Sequence, residues 1–207
     1  MKIDNYRTIA IIGDRNRGKT NLMFNLINNY KGNREIVFYG YPKELEYKQI
    51  YSLEELAQTT DSIIVMDELQ NHIKFYRKAT NDAFLELLAV LAHNNNTLIF
   101  STPMSQFITK ALDVFIDAII YVNISDMASL KNGSKAKRLL QQNSFTCINR
   151  WGVNLPIGKY LLLSDYEKGV YDFSFQNVGK DWRKENNNVK KKEAKELSKR
   201  IEMPEKC

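Results

Sequence analysis

Cysteine is nearly absent. The 207 residues hold two, Cys147 and the terminal Cys207. Thiols placed like this make neither a disulfide framework nor a zinc site, and they point to a reducing compartment. Long apolar runs are absent as well. None approaches the ~18 residues that a bilayer-spanning helix requires, so no membrane insertion is expected. The N-terminal apolar run closes at Gly13 in a glycine-bearing loop, which reads as a first strand and not a signal peptide. Acidic residues are missing from one stretch. Between Met127 and Ser164 there are six basic residues (Lys131, Lys135, Lys137, Arg138, Arg150, Lys159) and no Asp or Glu. From Lys180 to Cys207 ten basic residues face six acidic ones. The net charge is +6, so the rest of the chain is mildly acidic and the C-terminal third is basic. A localised basic surface suits a polyanionic partner; a solvated face is the plainer alternative.

What is present fits one soluble domain with a short extension: 43% hydrophobic and 26% charged residues, with no internal repeat. Arg7–Ile12 reads as a buried strand, and Met23, Leu26, Ile27 and Tyr30 recur at helical spacing after Lys19. Ile36–Tyr39 and Ser62–Met66 read as the second and third strands. Between them Ser52 and Glu55 form a capping box for SLEELAQ. Thr80–His93 reads as a helix with Phe84, Leu87, Leu88 and Leu91 on one face. Thr97–Phe100 is a fourth strand, Ser105–Phe115 a helix and Ala118–Val122 a fifth strand. Strands alternating with helices imply a parallel sheet covered on both faces, an α/β fold. Beyond Asn123 the pattern changes. Residues 125–142 look helical with a break at Asn132-Gly133. Phe145–Trp151, Lys159–Leu163 and Val170–Phe175 read as short strands that extend the sheet in antiparallel fashion, the last two joined through Asp165–Gly169. Asn186–Asn188 reads as a linker. The expected division is a domain over 1–180 and a basic tail over 181–207, weakly ordered without a partner.

Two segments carry chemistry. Gly13-Asp14-Arg15-Asn16-Arg17-Gly18-Lys19-Thr20 fits G-x-x-x-x-G-K-[ST], with Asn21 following. Its glycines let backbone N–H groups turn toward phosphate oxygens, and the next helix adds its N-terminal positive end. Lys19 can reach the β- and γ-phosphates of ATP or another NTP, and the Thr20 hydroxyl can ligate Mg²⁺. At average composition such a match arises by chance in roughly one chain in a hundred, but this one also lies between an expected strand and helix. The second segment, Ser62–Glu68 (SIIVMDE), ends an apolar strand in two acids 48 residues beyond Lys19. At the C-terminal edge of a parallel sheet, Asp67 can hold Mg²⁺ and Glu68 can orient or deprotonate an attacking water. Alone, Asp-Glu could be only a helix start. Ser101 and Thr102 end the fourth strand, which in such sheets often lies between the two motif strands. A hydroxyl there, or the amide of Gln106, could contact the γ-phosphate or the water; an N-cap is the alternative. No Asn-Lys-x-Asp guanine-reading segment and no Ser-Gly-Gly-Gln signature occurs. A neighbouring Glu favours hydrolysis over phosphoryl transfer to another acceptor.

The order of these parts, GDRNRGKT, SIIVMDE and NNNTLIFSTPMSQFITKALDVFIDAIIYV, resembles the FtsK–HerA superfamily of DNA-pumping ATPases over about Arg7 to Val122. The small size is most similar to genome-packaging NTPases of icosahedral DNA viruses. The chain departs from the family pattern where Pro103 stands in place of a Gln, His93 in place of an Arg before the fourth strand, and Asp117 near the Arg entering the fifth. The resemblance implies ATP hydrolysis driving translocation of double-stranded DNA into a capsid. It implies a ring, most simply a hexamer, with sites at subunit interfaces and an Arg from a neighbour on the γ-phosphate; Arg77, Arg138 and Arg150 are the candidates. It also implies a capsid or vertex protein as partner, and a place in the host cytoplasm alongside virion or procapsid. The Lys131–Arg138 region is the candidate DNA contact, through sequence-independent phosphate contacts. Two other classes stay open: a phosphotransferase acting on a nucleotide or metabolite, and a nucleotide-switched DNA-binding scaffold with little turnover.

Overall fold

β1 (Thr8–Gly13) is buried at every residue, as are β4 (Ser62–Met66) and β5 (Thr97–Thr102). A strand with both faces covered reads as a continuous apolar run, and TIAIIG, SIIVM and TLIFST are such runs. With β2 (Glu35–Tyr39), β3 (Lys48–Ile50), β6 (Ala118–Asn123), β7 (Lys159–Ser164) and β8 (Lys168–Asp172) they form one sheet in the order β3-β2-β4-β5-β1-β6-β7-β8. The pairings among β1 to β6 are parallel; β6–β7 and β7–β8 are antiparallel. The structure is a computed structural model that describes residues 1–42, 45–73, 78–103, 110–123, 155–156 and 158–174. These belong to one compact unit, Met1–Ser174.

The alternation of side chains along each strand assigns the helices to faces. Ala10, Ile12, Ile64, Met66, Leu98 and Phe100 lie in one apolar cluster. That cluster also takes Leu56 of α2 (Leu53–Gln58), Leu69 of α3 (Leu69–His72), Phe84, Leu88 and Leu91 of α4 (Lys78–His93) and Leu112 of α5 (Lys110–Asp113). The intervening strand residues, such as Ile9, Ile11 and Phe38, point to the other face. There α1 (Lys19–Asn28) covers them, with Phe24 stacked on Phe38 at 5.3 Å between ring centres. Two buried layers flank one sheet, as the alternating pattern predicts.

Local chemistry sets several boundaries. The capping box at α2 is present in both halves: Ser52 Oγ accepts from Glu55 N–H at 3.1 Å, and Glu55 Oε2 accepts from Ser52 N–H at 3.2 Å. Asn96, 1% exposed, accepts from Ser62 N–H at 2.9 Å and donates to the Thr59 carbonyl at 2.7 Å, fixing where β4 begins. Asp117 accepts from the N–H groups of Arg7 and Thr8 at 2.6 and 3.0 Å, so the acid standing near the family's arginine staples the start of β1.

The sequence reading and the structure differ in places. β3 is an additional strand: in KQI only Ile50 is buried, too little apolar signal for a periodicity to register. β5 runs on through Ser101 and Thr102, and β8 starts two residues early, so the hairpin loop shrinks to residues 165–167. Gly169 lies inside β8, paired with Leu162. Both rims of the sheet are short and charged. At one, Lys48 of β3 pairs with Glu35 of β2 at 3.0 Å; at the other, Lys159 of β7 pairs with Asp172 of β8. Among the described residues no helix is long and apolar enough to cross a membrane. The helix expected over 125–142, the strand over 145–151, the linker and the tail lie outside the described residues, as does residues 105–109 of the helix before β6.

Candidate nucleotide-binding site

Because β1, β4 and β5 are parallel neighbours, their C-terminal ends open on one edge, where ligands of open α/β sheets bind. β5 lies between the two motif strands, as expected. Ile12 pairs with Thr102 and Met66 with Phe100, so the loop after β1, Ser101–Thr102 and Asp67 meet at one height.

The loop from Gly13 to Thr20 needs two left-handed residues. Asn16 has φ 62°, which its side chain tolerates, and Gly18 has φ 92°, where a Cβ is disfavoured. Gly18 is the residue from which α1 starts. Arg15, Asn16 and Arg17 are exposed and Asp14 is partly so. Lys19 is 7% exposed, and its ammonium donates to the carbonyls of Gly13 at 2.8 Å and Asp14 at 2.9 Å. Burial lowers its pKa, opposed by the negative charges of Asp67, Glu68 and Asp14. The next residue, Thr20, donates its hydroxyl to Asp67 Oδ2 at 2.8 Å. Asn21 is half-buried in the first turn of α1.

Asp67 receives a second hydroxyl. Ser101 Oγ donates to Asp67 Oδ1 at 2.5 Å and accepts from Glu68 N–H at 2.9 Å. Burial raises the Asp67 pKa; the Ser101 and Thr20 bonds and the Lys19 charge pull it back. Glu68 is exposed, at φ 52° and ψ 62°, and its Oε2 accepts from Asn71 Nδ2 at 2.7 Å. His72, at the end of α3, donates from Nε2 to the Asp67 carbonyl at 3.2 Å, the only direction a carbonyl permits. Its ring meets Tyr39 edge-on at 5.3 Å and packs against Gly40.

The structure thus brings Lys19, Thr20, Asp67, Glu68 and the strand-end Ser101 to one place and adds Asn71 and His72. Thr102 is 1% exposed at the end of β5, beside the start of the loop. Gln106, Arg77, Arg138 and Arg150 lie outside the described residues. Ser101 was visible in sequence as a strand-end hydroxyl, but its partner was not. Asn71 and His72 carried no signal beyond their spacing of three and four from Glu68 and five from Asp67.

No family model matches the chain, and no curated protein matches it significantly in sequence. Solved structures resemble it more closely. The DNA-packaging ATPase of Sulfolobus turreted icosahedral virus superposes with a TM-score of 0.59 at 17% identity, over 86% of this chain and 100% of that one. The genome packaging NTPase of Sulfolobus turreted icosahedral virus 2, in complex with AMPPCP, gives 0.57 at 16%, over 84% and 99%. The pCW3 conjugation coupling protein TcpA, with ATPγS, gives 0.59 at 13% over 84% of this chain, which spans 62% of that one. This chain shares their fold. It is a P-loop NTPase fold with a mostly parallel sheet and antiparallel strands at its C-terminal side, the fold class expected from the sequence.

Proposed function

We propose that this chain hydrolyses ATP to move double-stranded DNA, as the motor of viral genome packaging in the host cytoplasm beside the procapsid. The supporting observation is the convergence of two segments 48 residues apart in sequence: the Thr20 hydroxyl lies 2.8 Å from the Asp67 carboxylate, in the field of Lys19 and Glu68. The likeness to a viral DNA-packaging ATPase, over 86% of this chain and 100% of that one, supports that role.

The residues fit a magnesium–triphosphate. Their oxygen donors, a hydroxyl and a carboxylate, are hard ligands, and P-loop Mg²⁺ takes its remaining ligands from phosphates and water. Bound there, Mg²⁺ would neutralise charge developing on the phosphates. Thr20 and Asp67 would hold it. Lys19 would exchange its two carbonyl partners for phosphate oxygens, and the N-terminal N–H groups of α1 would face the same anion. Glu68, exposed beside this point, would turn from Asn71 to align a water and take its proton. Thr102 and Gln106 are the proposed contacts to the γ-phosphate, and Arg138 the arginine reaching a neighbour's site in a ring.

The test is phosphate release by the wild type and by Glu68→Gln, each with and without duplex DNA. The wild type should release phosphate without an added acceptor and faster with DNA. Glu68→Gln should bind nucleotide as before and turn over about a hundredfold more slowly or worse, the range that loss of a general base gives. Normal turnover by Glu68→Gln would remove the glutamate from this role; ADP formed only when an acceptor is added, with the phosphoryl group on that acceptor and no free phosphate, would replace hydrolysis with transfer.

A further inference from the structure

We propose that Ser101 is a positioning residue that sets the two acids of the site relative to each other, holding Asp67 toward Thr20 and fixing the backbone from which Glu68 projects. The inference rests on reading these residues as the nucleotide site. A serine hydroxyl has one proton. Ser101 gives it to Asp67 Oδ1 at 2.5 Å and accepts Glu68 N–H at 2.9 Å, so it has no proton left for a phosphate oxygen or an attacking water. Ser101 is fully buried, and its work lies between the acids.

The sheet register makes this bridge. Met66 and Phe100 are partners across β4 and β5, so the residues that follow, Asp67 and Ser101, are level. Level residues of neighbouring strands point to the same side, which puts hydroxyl and carboxylate within reach. With Oδ1 tied to Ser101, Oδ2 is left for Thr20, 2.8 Å away on the other motif. Glu68 is at φ 52°, the left-handed region that a residue with a side chain occupies only when its surroundings hold it there. Its N–H bond to Ser101 is such a hold. Because this turn separates β4 from α3, it sets the direction in which the Glu68 carboxylate leaves the strand.

The experiment compares full-length wild type, Ser101→Ala and Ser101→Thr. A non-hydrolysable fluorescent ATP analogue is bound in EDTA and then titrated with Mg²⁺; phosphate release and the thermal midpoint are measured beside it. Ser101→Ala should bind metal-free analogue like the wild type, because the loop is untouched. It should need about tenfold more Mg²⁺ for the metal-dependent gain in affinity, and show kcat lowered about tenfold or more with KM little changed, as expected for loss of a hydrogen bond to a charged group. Ser101→Thr keeps the hydroxyl and should recover both. Wild-type Mg²⁺ dependence and kcat in Ser101→Ala would overturn the proposal. So would loss of metal-free binding together with a collapse of the thermal midpoint, and so would a folded Ser101→Thr as impaired as alanine. A wild type that releases no phosphate would sink hydrolysis and still leave the Mg²⁺ titration to decide the role of Ser101.

Discussion

Glycine at position 40 shows how tightly single residues bind the site to the scaffold. Gly40 has φ +61°, and a Cβ there would stand 2.5 Å from Cε1 of His72, the residue whose Nε2 donates to the Asp67 carbonyl. The space beside β2 is thus reserved for the imidazole that steadies the end of β4. Gly40→Ala meets both a steric and a backbone penalty and should cost about 1–3 kcal/mol of stability, read from denaturant unfolding. In the double variant with His72→Ala the steric part should disappear and the backbone part remain. Equal losses in the two backgrounds would show that the ring gives way freely. Burial holds the His72 imidazole below its ordinary pKa, so it stays neutral at neutral pH, keeping one ring nitrogen a donor.

Among the elements, α2 is short, six residues, and owes its start to the Ser52–Glu55 box. It carries Leu56 into the core with no exposure. Ser52→Ala removes the acceptor for Glu55 N–H and should lower unfolding free energy by about 1 kcal/mol; an unchanged denaturation midpoint would show that packing of Leu56 alone holds the helix. The Glu55 carboxyl lies below its ordinary pKa because it accepts from the Tyr51 and Ser52 N–H groups. A lowered folded pKa gives stability that is complete above the unfolded value and lost as pH falls through the folded one. The carboxylate half of the box should therefore weaken in acid, and the loss from Glu55→Gln should shrink there, whereas the Ser52→Ala loss, which comes from the hydroxyl that accepts Glu55 N–H, should not. The same elements show what can be read from sequence. The capping box was legible because both partners sit three residues apart, and β1, β4 and β5 because two-sided burial demands an unbroken apolar run. β3 was not, since a three-residue strand with one buried side chain leaves no period to count. Lys19, Thr20, Asp67 and Glu68 were legible as two local patterns. The bridge through Ser101 was not, because it depends on which strand lies beside β4 and at what height, which follows from the register and not from local spacing.

For the whole molecule the reading turns on DNA. Lys131, Lys135, Lys137 and Arg138, within the acid-free stretch, are the proposed contacts to backbone phosphates. Replacing Lys131, Lys135 and Lys137 with Ala, with Arg138 kept for its proposed place at a neighbour's site, should leave DNA-free turnover unchanged, abolish its stimulation by duplex DNA, and flatten the salt dependence of DNA binding by up to about three counterions. DNA stimulation equal to the wild type would move the contact elsewhere, with the basic tail over 181–207 next to be tried. A ring would make turnover per chain rise with protein concentration until subunits saturate.

The sheet's two rims bear on how any such ring could be built. Among the described residues a three-residue strand closes one side and a lysine-bordered hairpin the other, each ending in an ion pair. Blunt, charged borders of this kind discourage backbone hydrogen bonding between molecules. Neighbouring copies would then meet through their side chains alone, and a subunit could tilt or slide against the next during a working cycle without unzipping a shared β-ladder.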